Sequence, residues 1–361
     1  MSEDLKNFVF QHILVENYLR GFIMQKKFFT LNDGREAKLY SLRLNDGFGV
    51  DITDFGGCVV SIFAPDKDGN LLDVALGWKN PEKYIQNPPY LGALVGRVPN
   101  RIGGGRFVLD GVTYQSCLND NNASTLHGGF GYSHRLWSVE KVTGTELVLG
   151  LTSPHGDAGF PGELKVKAVY RITADHVLEL EFYAETDRPT VADFTSHIYF
   201  NLDGDASGYC GEHFMKVAAD YVTEVDGNLI PTGKLLDVTN SRFDVRNGRK
   251  FSDIYADYAG GFDDNFVLGN ENNVFRTDVA VITAGKSGIE LAVDTDRPGV
   301  QIYMGGAGGE GKNAYYEGLN AFCFETQNWP DAVNHDNFPS IRLEPGKTFR
   351  GITRYKFSVK K

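Results

Sequence analysis

The chain lacks the residue groupings that mark a metal site, a disulfide scaffold, a nucleic-acid binder or a membrane protein. Its 361 residues contain four cysteines, Cys58, Cys117, Cys210 and Cys323, all far apart and none in a CxxC pair. That is ordinary cytosolic usage, so a cytoplasmic location is expected and a disulfide framework or zinc site is not. None of the eight histidines forms an HxxxH or HExxH pair, so no metal and no other cofactor is expected. No Lys/Arg cluster offsets the net charge of −11, which argues against nucleic acid as a partner. No run approaches the roughly 18 apolar residues of a membrane span, so no membrane is expected either. There is no GxSxG elbow, and Cys323 between two phenylalanines reads as a core thiol rather than a nucleophile. The glycine-rich stretch Gly305 to Lys312 lacks the GxxxxGK(S/T) spacing of a phosphate loop and reads as a flexible loop.

Helical periodicity is scarce too, with one short helix expected over Phe251 to Tyr258. Strand signals fill the rest. Leu164, Val166, Ala168, Tyr170 and Ile172 alternate with polar residues, as do Leu178, Leu180, Phe182 and Ala184. These are half-buried antiparallel strands joined through a short turn at Ala174-Asp175. Leu147, Leu149 and Leu151 mark another strand, and Gly/Asn/Asp/Pro turn clusters recur along the chain. No repeat or linker divides it. The expected fold is all-β, a large antiparallel β-sandwich in one domain over residues 27–361. Residues 1–26 read as an N-terminal extension, a short helix or disorder. Acidic Glu3 and Asp4 and the lack of a small-residue cleavage site argue against a signal peptide. Met24, followed by Gln25-Lys26-Lys27, is a plausible alternative start.

Five segments hold residues suited to chemistry. Phe324-Glu325 ends a strand whose Phe322 and Phe324 face one way and Cys323 and Glu325 the other. It runs into a polar loop stiffened by Trp329-Pro330. A carboxylate beside amides and an indole suits a sugar, which offers hydroxyls and C–H faces. A solvated loop carboxylate is the plainer reading. Asn100-Arg101-Ile102, followed by three glycines, brings a guanidinium fork to a tight backbone, or is a surface hairpin. His127 precedes Gly128-Gly129 and is either open to a ligand or bonded to backbone. In Thr195 to Leu202, alternation puts Thr195, His197, Tyr199 and Asn201 on one face, so His197 serves as acid or base or sits in a buried network. Asp263 accepts hydroxyls or opens the strand that follows. Its neighbours Asp264 and Asn265 do not form a calcium loop.

Together and in this order, these segments resemble the aldose 1-epimerase family, the galactose mutarotases. The pieces are NRI with glycines (Asn100 to Gly105), TLHGG (Thr125 to Gly129) and T-x-H-x-YFNL-x-G (Thr195 to Gly204). GFD-x-NF-x-L (Gly261 to Leu268), PGVQ-x-Y (Pro298 to Tyr303) and ETQNWPDAVN (Glu325 to Asn334) complete the set. The resemblance runs from about Lys27 to about Lys360, and its ETQNWPDAVN element is the most specific. It implies the galactose mutarotase-like supersandwich, an open sugar cleft, and interconversion of the α and β anomers of free aldoses without metal or cofactor. It implies that Glu325 is the base that takes the O1 proton and His197 the acid that protonates the ring oxygen. His127 is similar to the family's second histidine, and Asn100, Arg101, Asp263 and Gln301 resemble its hydroxyl-binding set. The states expected are an ionised Glu325 and a protonated His197, hence a bell-shaped pH profile.

The chain departs from the family pattern at Asp264, where a His is usual, at Pro99 in place of Ala, and in Gly131 to Trp137. These changes, and the Gly305 to Lys312 loop expected near the cleft, bear on sugar preference more than on reaction type. Two alternatives stand beside this reading: an epimerase for hexose 6-phosphates, and a sugar-binding protein without catalysis. A monomer or homodimer is expected.

Overall fold

The computed structural model describes residues 24–258 and 260–360. Most of the expected N-terminal extension therefore lies outside the described residues, while Met24–Thr30 is already the first strand. Among the described residues the strands form a nine-stranded, a six-stranded and a five-stranded sheet with two-stranded ribbons between them, and every pairing is antiparallel.

The nine-stranded sheet is built on the strands the alternation marked. Leu164–Thr173 pairs with Val177–Thr186 along its whole length, and Glu146–Ser153 flanks it. The connection is one residue longer than expected, because His176 adopts φ +56° and its N–H bonds to Thr173 O. On the solvent face Arg171 reaches Glu146, Glu179 and Glu181. On the inner face Val166, Ala168, Tyr170, Leu180 and Phe182 join one buried apolar cluster.

The six-stranded sheet supplies the facing wall. Its order is Tyr199–Phe200, Ala321–Gln327, Gly299–Gly305, Asp263–Val267, Tyr221–Val225, Pro231–Asp237. Phe322, Phe324, Val300, Ile302 and Phe266 enter the same cluster as Tyr355 and Phe357 of the other sheet. Tyr355 Oη donates to Phe324 O across the sandwich at 3.2 Å. Burying these aromatic faces is the main favourable term, at roughly 1.5–3 kcal/mol for each large apolar side chain. One face of the six-stranded sheet is thus spent on the core, and the other is left for a cleft.

Three expectations change in detail. The short helix spans Phe251–Asp257 with Phe251 and Ile254 buried, and Tyr258 caps it by donating to Ile254 O. The segment from Thr195 is not one strand: Thr195–Ser196 and Tyr199–Phe200 are separated at His197, whose N–H bonds to Ala93 O. The break re-aims the row, so Asn201 leaves it and donates to Gly208 O and Asn320 O. The Gly305 to Lys312 loop is pinned rather than free. Lys312 Nζ bonds to Val60 O, Ser61 Oγ, Asp73 Oδ2 and Ala75 O.

Candidate active site

Strand register assembles one wall of the site. Gln301 lies opposite Glu325, and Asn265 opposite Gln301. One step along, Tyr303 lies opposite both Cys323 and Asp263. Side chains alternate, so Glu325, Gln301, Tyr303 and Asp263 share the face turned away from Phe322 and Phe324. Tyr199 pairs with Cys323. Two residues earlier in the chain, His197 comes level with Glu325, and its Nε2 lies 3.5 Å from Glu325 Oε1.

The opposite wall comes from a ribbon. Arg101–Gly103 pairs with Ser124–Leu126, which brings the ends of the NRI and TLHGG segments together. Asn100 and His127 both turn there with φ near +55°. Asn100 N–H donates to His127 Nδ1 at 3.1 Å, and His127 N–H donates to Asn100 O at 2.9 Å. An accepting Nδ1 leaves the ring proton on Nε2.

The cleft between the walls holds about 160 Å³ and is lined by Asn100, Arg101, His127, His197, Asp263 and Glu325, with Tyr90, Tyr199 and Tyr303 as aromatic walls. Pockets for drug-sized ligands run to ~300–1,000 Å³, so this one suits a single small polar ligand. A groove of about 480 Å³ across Ser138, Lys165 and Glu185 is larger, but it lies on the solvent face of the nine-stranded sheet. Gln301 stands one step back and donates to Asp263 Oδ1 at 2.8 Å. All seven residues marked in the sequence therefore converge here, six at the surface and one behind it.

Burial governs the charges. It drives the His197 pKa down to about 4. Burial, then the neighbouring His197 and Arg101, drives His127 well below the usual imidazole range. Burial, then the charge of Asp263, holds Glu325 well above the usual carboxylate range, with Arg101 opposing. Glu325 Oε1 and His197 Nε2, 3.5 Å apart, are close enough to pass a proton between them. Desolvation favours the neutral form of each group, a protonated carboxyl and an unprotonated imidazole. This differs from the expected ionised Glu325 and protonated His197 by one internal proton transfer, and the cause is desolvation of both charges.

His127, His197 and Glu325 bring ligand atoms within 4.8 Å of one another, a grouping that could hold a metal ion. The Asn100–His127 bond argues against it. A metal-bound imidazole gives its other ring N–H away, whereas His127 Nδ1 accepts.

Sequence reasoning passed over Tyr90. Its ring lies 4.7 Å from His127 edge-on and 6.4 Å from His197 near-parallel. The signal was Pro88-Pro89 ahead of an aromatic, a stiff loop that presents a ring. The structure also removes two suspected specificity elements. Asp264 is buried on the other face of its strand, accepts the Asp263 N–H, and is pushed up to about 6 by burial and then by Asp263. None of the Gly305 to Lys312 residues lines the cleft.

Fold and site together define an acid–base enzyme for a small polyhydroxylated ligand, on an antiparallel sandwich. A family profile, Aldose 1-epimerase, matches residues 38–356. Galactose mutarotase of Rattus norvegicus is 38% identical over 336 residues, 90% of this chain and 95% of that protein. Aldose 1-epimerase of Escherichia coli K12 is 32% identical over 339 residues, 90% and 96% of the two chains. The crystal structure of a GalM/aldose epimerase homologue from C. elegans superposes with TM-score 0.83 at 28% identity, covering 90% of this chain and all of that one. The chain belongs to the aldose 1-epimerase family. It is an isomerase with mutarotase function, and its substrates are aldoses.

Proposed function

We propose that this site interconverts the α and β anomers of free hexoses, galactose and glucose first among them, with Glu325 and His197 as the proton-exchanging pair. One observation carries the reading: an acid and a base 3.5 Å apart in a cleft of monosaccharide size. Opening a hemiacetal needs a proton taken from O1 and another given to O5, and both oxygens sit on one carbon. Two groups this close reach both. When the sugar enters, its hydroxyls supply the polar contacts that burial removed, and the shared proton moves to His197. Glu325 then takes the O1 proton while His197 Nε2–H protonates O5. C1 turns about its bond to C2, and closure returns both protons, leaving the pair as it began. Neutral His127, fixed as the Nε2–H tautomer, donates to the ring-oxygen region. Asp263, held by Gln301, accepts a hydroxyl next to the anomeric centre, and Asn100 and Arg101 donate to the others.

The cleft favours a neutral sugar over a hexose 6-phosphate. Among the described residues Arg101 is the one Lys or Arg that lines it, and its Nε is already tied to Asp120. A cytoplasmic setting is proposed on the strength of four free cysteines.

Polarimetry or NMR of freshly dissolved α-D-galactose and α-D-glucose, with wild type beside Glu325→Gln, tests the assignment. Wild type speeds the approach to anomeric equilibrium, and the variant loses roughly 10²–10⁴-fold, the usual worth of one acid or base. A Glu325→Gln protein as fast as wild type would remove Glu325 from the mechanism.

A further inference from the structure

Behind the cleft, the turn over residues 118–124 carries two adjacent polar side chains that belong to none of the family-like segments. Asn119 clasps Leu126: its Oδ1 accepts the Leu126 N–H at 2.8 Å, and its Nδ2 donates to Leu126 O at 3.0 Å. The same Nδ2 donates to Tyr90 Oη at 3.1 Å. Leu126 leads directly into His127, and the Tyr90 ring rests against His127 and His197. Tyr90 has φ +56°, a conformation an aromatic residue keeps only when its surroundings impose it.

Asp120 points to the other wall. Its Oδ2 accepts from Arg101 Nε at 2.8 Å and from Ser124 Oγ at 2.9 Å. Arg101 and Asp120 are both largely buried, and among the described residues the two terminal nitrogens of Arg101 have no protein acceptor. The turn closes on itself, with Ala123 N–H donating to Asp120 O and Asp120 N–H to Ser124 O. These main-chain bonds hold the backbone from which both side chains project.

We propose that Asn119 and Asp120 are positioning residues of the sugar site. Asp120 aims the Arg101 fork at ligand hydroxyls, and Asn119 fixes the imidazoles through Leu126 and Tyr90. Asp120 therefore acts on binding and Asn119 on the proton-exchanging groups. The inference rests on the sugar-site reading above.

The test is a double-mutant cycle on KM and kcat for galactose, using Arg101→Ala, Asp120→Asn and the double variant, with thermal melts alongside. Asp120→Asn keeps an oxygen for Ser124, so the turn survives. It raises KM roughly tenfold, the order of one charge-assisted hydrogen bond, with little change in kcat. In the Arg101→Ala background it adds nothing to KM. Additive KM effects, or an unchanged KM in Asp120→Asn while Arg101→Ala raises it, overturn the role of Asp120. An Arg101→Ala enzyme with normal KM overturns the sugar-site reading itself. Asn119→Ala lowers kcat and moves the acid limb of the pH profile upward, toward an ordinary imidazole. A lower melting temperature with the acid limb in place overturns the role of Asn119.

Discussion

Glu325 is 2% exposed and His197 is 6% exposed, and that burial sets how the site responds to pH. His197 is depressed to about 4, so the second proton reaches the pair only near that pH. Glu325 is raised, so the last proton leaves only well above the usual carboxylate range. We expect kcat/KM to fall on the acid side near pH 4 and, on the alkaline side, as Glu325 ionises above the usual carboxylate range. Initial rates of anomerisation from about pH 3.5 to about 10, corrected for the uncatalysed reaction, check this. An acid limb near the ordinary imidazole value of about 6.5 would show that His197 is solvated in the working enzyme. Asp264 poses the same physics without the catalysis. Its folded pKa, about 6, lies above the 3.8 of an ordinary Asp. Such a group favours the fold fully below 3.8 and loses that contribution as pH rises through 6. Asp264→Asn should therefore be the more stable protein at about pH 8 by about 3 kcal/mol, with the gain fading toward about pH 4. Thermal melts across that range decide it, and an equal gain at every pH would rule out the buried charge as its cause.

At the scale of elements, the alternation of Ala321–Gln327 does two jobs at once. Phe322 and Phe324 enter the core while Glu325 faces the cleft, so the residue proposed to carry the chemistry sits on a strand buried along its whole length. The pinned glycine loop is different in kind. Lys312 places its ammonium among four oxygens, one of them the Asp73 carboxylate. Lys312→Met leaves Asp73 buried without its cation, and we expect a loss of ~3 kcal/mol in urea unfolding. Catalysis per folded molecule should barely change, because the loop does not line the cleft. A shift in sugar preference with unchanged stability would restore the loop to the specificity role its sequence suggested.

For the whole molecule, the net charge of −11 surrounds a cleft whose one Lys or Arg, among the described residues, is already paired. Steering therefore does nothing for a neutral sugar, and kcat/KM for galactose should be flat between about 0.01 and 0.5 M salt, a range that shortens the Debye length from roughly 30 to a few Å. A marked salt dependence would point to a charged substrate. The sandwich brings both walls to the cleft at fixed separation: the six-stranded sheet presents Glu325, and the ribbon of Arg101–Gly103 with Ser124–Leu126 presents His127.

Much of this was legible in the residues alone. Period-two alternation names the strands and the buried face of each, because one face of a sheet in water must be apolar. The order of the six motif segments names the family and the seven candidate site residues. Charge states, the separation of acid from base, and the residues behind the site were not legible. Glu325 and His197 are 128 positions apart in the chain, and no local pattern reports that they meet at 3.5 Å. Tyr90, Asn119 and Asp120 matter through contacts made after folding, so composition and spacing pass over them. Asp264 looked like a cleft residue because it adjoins Asp263, yet the pleat sends neighbours to opposite faces. Sequence determines which faces are apolar and which residue types are present. Only the tertiary structure decides which of them are desolvated together, and desolvation sets their protons.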